Sequence, residues 1–134
     1  MAQVKALIGN IKGQPGKDGS ENQIYSTEEQ VIGKWISGKP IYRKVFSLNK
    51  KVSEGEEIST GCKLDNADIL INISMYADDS WGNRWVSDIS SGNPIYLTPE
   101  NYIYVGAYSG SRDFYYNLHM IIAEYTKTTD TATT

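Results

Sequence analysis

Only one cysteine, Cys62, occurs in 134 residues, so no intramolecular disulfide can form and the thiol is expected to be structurally idle. Histidine is as scarce: His119 is the single one. Without a CxxC pair or a Cys/His cluster, a structural zinc site has nothing to be built from. No metal and no cofactor are expected. Long apolar runs are missing too. The opening MAQVKALIGN is too short an apolar stretch for a signal peptide, and nothing approaches a membrane span. The chain reads as soluble, made in a cytoplasm and without membrane insertion. Positive charge is thin. The formal net charge is −3 and the longest basic run is Lys50-Lys51, whereas a nucleic-acid binder presents a basic stripe. No nucleophile elbow, glycine-rich phosphate loop or zinc-enzyme motif is present, which argues against an enzyme. Glu28 and Glu29 do not change this, because neighbours on a strand point to opposite faces. Two carboxylates from distant loops form a pattern that no motif reveals, so a polysaccharide depolymerase stands as a remote alternative.

What the chain does have is tyrosine: ten, with three tryptophans, against two phenylalanines. Tyrosine has an apolar body and a wet tip, so this bias favours half-exposed sheets and polar binding surfaces. Period-two alternation is the main structural signal. In DILINISMY, Ile69, Ile71, Ile73 and Met75 share one face, and Leu70, Asn72, Ser74 and Tyr76 the other. In NYIYVGAY, Ile103, Val105 and Ala107 oppose Tyr102, Tyr104 and Tyr108. In DFYYNLHMIIAEY, strict alternation puts Phe114, Tyr116, Leu118, Met120 and Ile122 on one side and Tyr115, Asn117, His119, Ile121 and Tyr125 on the other. Earlier, STEE at 26–29 has the form of a helix capping box, but Gly33 and the β-favouring Val31, Ile32, Trp35 and Ile36 speak for strand. Strands are expected over 30–36 and 39–48, joined by a tight turn at Ser37-Gly38. Pro40 then falls at a strand start, where it is tolerated.

Turn clusters separate these runs: KKVSEGEE, GCKLDNAD, ADDSWGN, SSGNP, TPEN and SGSRD. Closely spaced strands without an amphipathic helix predict an all-β fold, an antiparallel β-sandwich or jelly-roll-like head over 25–126. A polar tail at 127–134 should fray. Ahead of the head lies an arm at 1–24. Within it QVKALIG, 3–9, has the makings of a short strand or extended segment. Gly13-Gln14-Pro15, Gly16-Lys17-Asp18 and Gly19-Ser20-Glu21 then repeat glycine at every third position. Collagen needs that spacing because only hydrogen fits on its three-chain axis. Three triplets are too few to hold a triple helix unaided. They read either as a solvated linker or as a short extended neck kept in register by the domain behind it.

The stretch YSTEEQVIGKWISGKPIYRKVF, 25–46, resembles a segment common in tail fibres, tail-tip and receptor-binding proteins of tailed bacteriophages, above all those of Gram-positive hosts. The closing IAEYTKTTD is similar to the way such chains end, and collagen-like triplets recur in those fibres ahead of a C-terminal head. Ser37 stands where aspartate is more usual, and both suit the turn. The resemblance covers roughly 25–46 and 123–130; the residues between are this chain's own. It implies a homotrimeric β-structured head on a virion tail fibre or tail tip, with other tail or baseplate proteins as partners and adhesion to a bacterial surface as the task. A trimerising structural module without a receptor site is the alternative.

If the head binds a cell-surface polysaccharide, two loops offer the chemistry. A sugar presents apolar C–H faces fringed by hydroxyls, which an aromatic platform edged by planar polar groups can match. YADDSWGNRWVSD supplies Trp81 and Trp85 with Asp78, Asp79, Asn83 and Arg84. YSGSRDFYY supplies Tyr108 and Arg112, with Asp113 and Tyr115 beside them. The bland accounts are that Trp85 opens the next strand and is buried, that Asp78 and Asp79 solvate a turn, and that Arg112 and Asp113 are ordinary loop charges. Asp65, Asn66 and Asp68, or Asp78, Asp79 and Asn83, carry oxygen ligands but lack the spacing of a calcium loop.

Overall fold

The computed structural model describes residues 25–88 and 93–132. The arm at 1–24, with its collagen-like triplets and the strand expected at 3–9, lies outside the described residues. Eight strands follow in chain order: β1 (Gln30–Lys34), β2 (Pro40–Ser53), β3 (Glu57–Lys63), β4 (Ala67–Asp79), β5 (Arg84–Asp88), β6 (Ile95–Leu97), β7 (Tyr102–Gly106) and β8 (Tyr115–Lys127). They form two antiparallel sheets, one of five strands in the order β1-β2-β8-β4-β5 and one of three in the order β3-β7-β6. The described residues contain no helix. All-β architecture with facing antiparallel sheets is thus what the alternation predicted, with the larger sheet curled into a half-barrel.

The curl has a local cause. Register shifts interrupt β1–β2 between Val31 and Gly33, β2–β8 between Ser47 and Lys50, and β4–β8 at three places. Each bulge bends a strand and adds right-handed twist, so the sheet wraps round its smaller partner. The core between them is made by Val52, Leu64, Ile73, Met75, Ile95, Ile103, Val105, Phe114, Tyr116, Leu118, Ile121 and Tyr125, all buried.

The bulge on β8 overturns one expectation. Tyr76 pairs with Met120, yet the next residue, Ala77, pairs with Leu118, which leaves His119 as the extra residue. Face parity flips there: Phe114, Tyr116 and Leu118 are buried, then Ile121, Ala123 and Tyr125. Met120, placed by strict alternation on the side of Phe114, Tyr116 and Leu118, is 37% exposed, and Ile121, placed on the opposite side, is fully buried. On β4 only Ile73 and Met75 of the predicted isoleucine face reach the core; Ile69 is exposed, and Leu70 packs inward across a bulge.

The predicted hairpin is present, with shifted limits. Gly38 at φ 87° closes the turn, a conformation glycine adopts without steric cost, and its N–H donates to the Trp35 carbonyl at 2.8 Å. Trp35 therefore lies in the turn and not mid-strand. β2 continues through Lys50-Lys51-Val52-Ser53, residues expected in a turn, because they pair with Leu118, Asn117, Tyr116 and Tyr115 on β8. Likewise Gly61-Cys62-Lys63 end β3, and Cys62 is a half-buried free thiol. At 26–29 the capping-box chemistry makes a bend: the Glu28 N–H donates to Ser26 Oγ at 3.0 Å, the local bond serine offers in competition with helix.

The start of the tail does not fray. β8 runs to Lys127, the Thr128 N–H donates to the Asn66 carbonyl at 2.8 Å, and Tyr42 Oη donates to Asp130 Oδ2 at 2.6 Å. The Glu29 carboxylate accepts from Tyr125 Oη and, at 2.6 Å, from Lys127 Nζ. Tyr42 and Tyr125 stack with ring centroids 6.0 Å apart. The Asp130 carboxylate raises the Tyr42 phenol to about 12, and burial followed by the Glu29 bond raises Tyr125 as well. A clamp of charge-assisted hydrogen bonds therefore ties the hairpin to the C-terminal strand.

Candidate ligand-binding surface

The outward face of the three-stranded sheet is built from tyrosine because of its register. Ile58, Val105 and Ile95 align across β3, β7 and β6 and point into the core. Their neighbours point out, so Ser59, Tyr104 and Tyr96 form one cross-strand row and Glu57 with Gly106 begins the next. Tyr96 and Tyr104 stack with centroids 5.8 Å apart and ring planes at 22°. Tyr108 follows β7 and lies over Gly106: a Cβ there would meet Tyr108 Cε2 and Pro94 Cγ at 3.0 Å. The missing side chain is what lets the ring lie against the backbone.

Glu57 holds this group together. Its Oε1 accepts from Tyr108 Oη at 2.8 Å and its Oε2 from Tyr96 Oη. The bond from Tyr96, then that from Tyr108, keeps the Glu57 carboxyl below the usual carboxylate range. Reciprocally, Glu57 pushes the Tyr96 phenol up to about 12 and raises Tyr108. The Tyr108 N–H also donates to Asn93 Oδ1 at 3.1 Å. Beside it, Glu54 Oε1 accepts from Ser109 N and Oγ at 2.8 and 2.7 Å, and Oε2 from Gly110 N at 3.2 Å. The Ser109 hydroxyl bond is the main reason the Glu54 carboxyl is depressed. Tyr108 is 47% and Tyr96 36% exposed, so a rigidly held aromatic face meets solvent.

The loop with the two tryptophans is arranged differently. Asp79 Oδ1 accepts the backbone N–H groups of Trp81 and Asn83 at 2.9 and 3.0 Å, and the Asp79 N–H donates to the Asn83 carbonyl at 2.9 Å. Asp79 thus shapes the β4–β5 turn, an aspartate habit of bonding its own following backbone. Trp85 lies on the core face, edge-on to Tyr116 at 5.1 Å and 74°. Trp81 is 62% exposed and packs on Phe114 at 5.4 Å. Phe114 in turn meets Tyr116, so the two tryptophans end one aromatic chain.

Three of the sequence candidates, Asp78, Arg84 and Trp85, line a shallow basin of about 340 Å³ with Tyr76, Ala77, Val86 and His119. His119 Nε2 lies 2.8 Å from Asp78 Oδ1, and that hydrogen bond lowers the Asp78 carboxyl. The β8 bulge delivers His119 to this position. A larger groove of about 680 Å³ runs between the start of β4 and edge strand β6, with Leu70, Ile95 and Leu97 among its lining residues. Lys39 Nζ binds Asp68, one of its rim residues, at 2.9 Å. Arg112 is exposed in the β7–β8 connection.

The eight sequence candidates do not form one cluster. Trp81, Trp85, Asp78, Asp79, Asn83 and Arg84 belong to the β4–β5 region of the larger sheet, and Tyr108 adjoins the smaller one. Sequence inspection put Tyr104 on the face of Tyr108 but missed Glu57, and Tyr96 beyond it, as what Tyr108 meets. The alternating tyrosines of NYIYVGAY were a signal for the face, but nothing local linked it to Glu57, 51 positions from Tyr108. Among the described residues no three His, Cys, Asp or Glu side chains converge as a metal ion would require. Neither a protein-family model, nor a curated protein, nor a solved structure matches this chain.

Proposed function

We propose that this chain is the receptor-binding head of a phage tail fibre or tail tip, which acts as a homotrimer and attaches the virion to a bacterial surface saccharide. The observation that carries the proposal joins sequence to structure. The two stretches that resemble phage tail proteins, 25–46 and 123–130, are far apart in the chain, yet they meet in one clamp. Glu29 binds Tyr125 and Lys127, Tyr42 binds Asp130, and Lys39 Nζ donates to the Lys127 carbonyl at 3.1 Å. A shared frame built from those stretches leaves the intervening residues to carry what differs between such heads. Those residues include the exposed tyrosine face of the smaller sheet.

Trimer formation is supported by apolar side chains on the hairpin. Val31 and Ile32 lie on edge strand β1 and Ile36 in its turn, and all three are exposed, Ile36 at 84%. An apolar, unpaired edge invites association unless it is covered. In the proposed assembly the neighbouring copies cover it, the collagen-like triplets form the neck, and the two-sheet head closes in jelly-roll fashion. Several weak sites per fibre then gain avidity of roughly 10²–10⁴ without new contacts.

Light scattering should give about three times the 15.0 kDa chain mass. Fluorescently labelled protein should decorate cells, or purified walls, of some member of a Gram-positive panel. Loss of decoration with Tyr104→Ala but not with Trp81→Ala assigns adhesion to the tyrosine face. The reverse pattern assigns it to the β4–β5 loop. A trimer that ignores every surface refutes the adhesin and leaves the trimerising structural module. New reducing ends in the polysaccharide reveal a depolymerase instead.

A further inference from the structure

Tyrosine rings in this protein repeatedly seat a cation of the same chain. Arg43 lies over Tyr25 at 4.0 Å, Lys51 over Tyr115 at 4.3 Å, Lys127 over Tyr42 at 4.5 Å and Lys63 over Tyr102 at 5.6 Å. The geometry is that of the cation–π contact, in which the negative ring face attracts a positive group within about 6 Å. Six other tyrosines have no such cation among the described residues, and three of them, Tyr96, Tyr104 and Tyr108, stand together on one surface. They cluster round Glu57, and among the described residues no lysine or arginine lies over their rings.

Their surroundings strengthen the pull on a cation. Tyr96 and Tyr108 both donate to the Glu57 carboxylate, which shifts electron density into the rings. Glu54 adds a second carboxylate next to Tyr108, through Ser109 and Gly110, and Glu56 precedes Glu57 in the chain. The partners found for these carboxylates are neutral: Glu54 accepts from Ser109 and Gly110, and Glu56 Oε1 from the Ser53 N–H at 2.8 Å. Neutral donors satisfy hydrogen bonds without cancelling charge, so the field at the ring faces is negative. An anionic sugar or phosphate would be repelled. A neutral sugar would gain the rings and hydroxyl hydrogen bonds to the carboxylates, but no attraction between opposite charges.

We infer that the Tyr96–Tyr104–Tyr108 face with Glu57 recognises an ammonium-bearing ligand, with an unacetylated amino sugar as the saccharide form. The inference rests on the adhesion proposal for its biological setting and adds the chemistry of the ligand. The amino group sits over the tyrosine faces toward Glu57, and the sugar ring lies along Tyr104.

The test compares a glucosamine oligomer with its fully N-acetylated counterpart of equal length, titrated calorimetrically into the full chain. Acetylation removes the charge and keeps the sugar backbone. The deacetylated oligomer should bind about tenfold more tightly, as expected for one ion pair with cation–π support, and the difference should shrink as salt is raised. Choline chloride should compete with it. Glu57→Gln should bring the two oligomers to within about twofold. If that variant is unfolded by circular dichroism, Tyr104→Leu serves in its place and should weaken the deacetylated oligomer. Equal or tighter binding of the acetylated oligomer, binding of neither, or a preference that survives Glu57→Gln overturns the inference. Cell decoration measured in parallel separates the two proposals. Adhesion without charge preference removes this inference alone, and ammonium binding without adhesion removes the adhesin alone.

Discussion

Replacing Tyr116 by phenylalanine gives a prediction with two linked parts. Tyr116 is fully buried, and its hydroxyl donates to the Gly106 carbonyl at 2.8 Å, joining β8 of the large sheet to β7 of the small one. The substitution keeps the ring against Trp85 and Phe114 and deletes that bond. Leaving a buried carbonyl short of a partner costs about 1–2 kcal/mol at neutral pH. The second part concerns alkali. Burial raises the Tyr116 phenol well above its ordinary 10.0, so above that pH the unfolded chain releases a proton that the folded chain retains. Stability contributed by this group is complete below pH 10 and declines as pH climbs toward the folded value. The decline is about 1.4 kcal/mol per pH unit. Phenylalanine has no proton to lose. The raised phenols of Tyr42, Tyr96, Tyr108 and Tyr125 act equally in both proteins and cancel in the difference. The wild-type advantage should therefore be constant from pH 7 to about 10, vanish near about pH 11 and reverse beyond. Urea titrations followed by tryptophan fluorescence across that range measure it, with an unchanged m-value as the check on comparability. A stability gap that stays the same at every pH would refute the assignment of a protonated, buried phenol.

Three further outcomes follow from the geometry. Ile121→Ala should cost about 2–4 kcal/mol and Met120→Ala less than about 0.5 in urea unfolding; the opposite order would restore strict alternation and deny the bulge at His119. Gly106→Ala places a methyl 3.0 Å from the Tyr108 ring and 3.2 Å from the Glu56 carbonyl, so it should destabilise by about 1–3 kcal/mol and displace Tyr108, visible as shifted aromatic NMR signals. Asp79→Ala removes the acceptor of two turn N–H groups and should cost about 1–2 kcal/mol in thermal unfolding, whereas Asn83→Ala, which keeps its backbone bonds, should change little.

The legible parts of this fold are those governed by near neighbours. Gly38 and Pro40 marked the hairpin turn because φ preference and the missing proline N–H are properties of single residues. The failure on β8 is equally physical. HMII contains apolar residues at consecutive positions, and alternation alone cannot say where parity changes. Only pairing with Tyr76 and Ala77 on one side and Ser47 and Lys50 on the other locates the bulge. Asp79 and Trp85 looked like ligand groups in the sequence because both are chemically able. The fold commits Asp79 to its own turn and packs Trp85 on Tyr116, where it still lines the basin with Asp78 and Arg84.

By itself the sequence determined that this chain is a β-protein, where several of its turns fall, and that one wetter face is rich in tyrosine. Side-chain period, glycine and proline act over a few residues and can be read one window at a time. Tertiary structure alone decided that Tyr96 and Tyr108 converge on Glu57, that His119 reaches Asp78, and that the hairpin clamps the final strand. Those meetings join residues 39 to 98 positions apart, and a contact of that separation leaves no imprint on the residues immediately beside it.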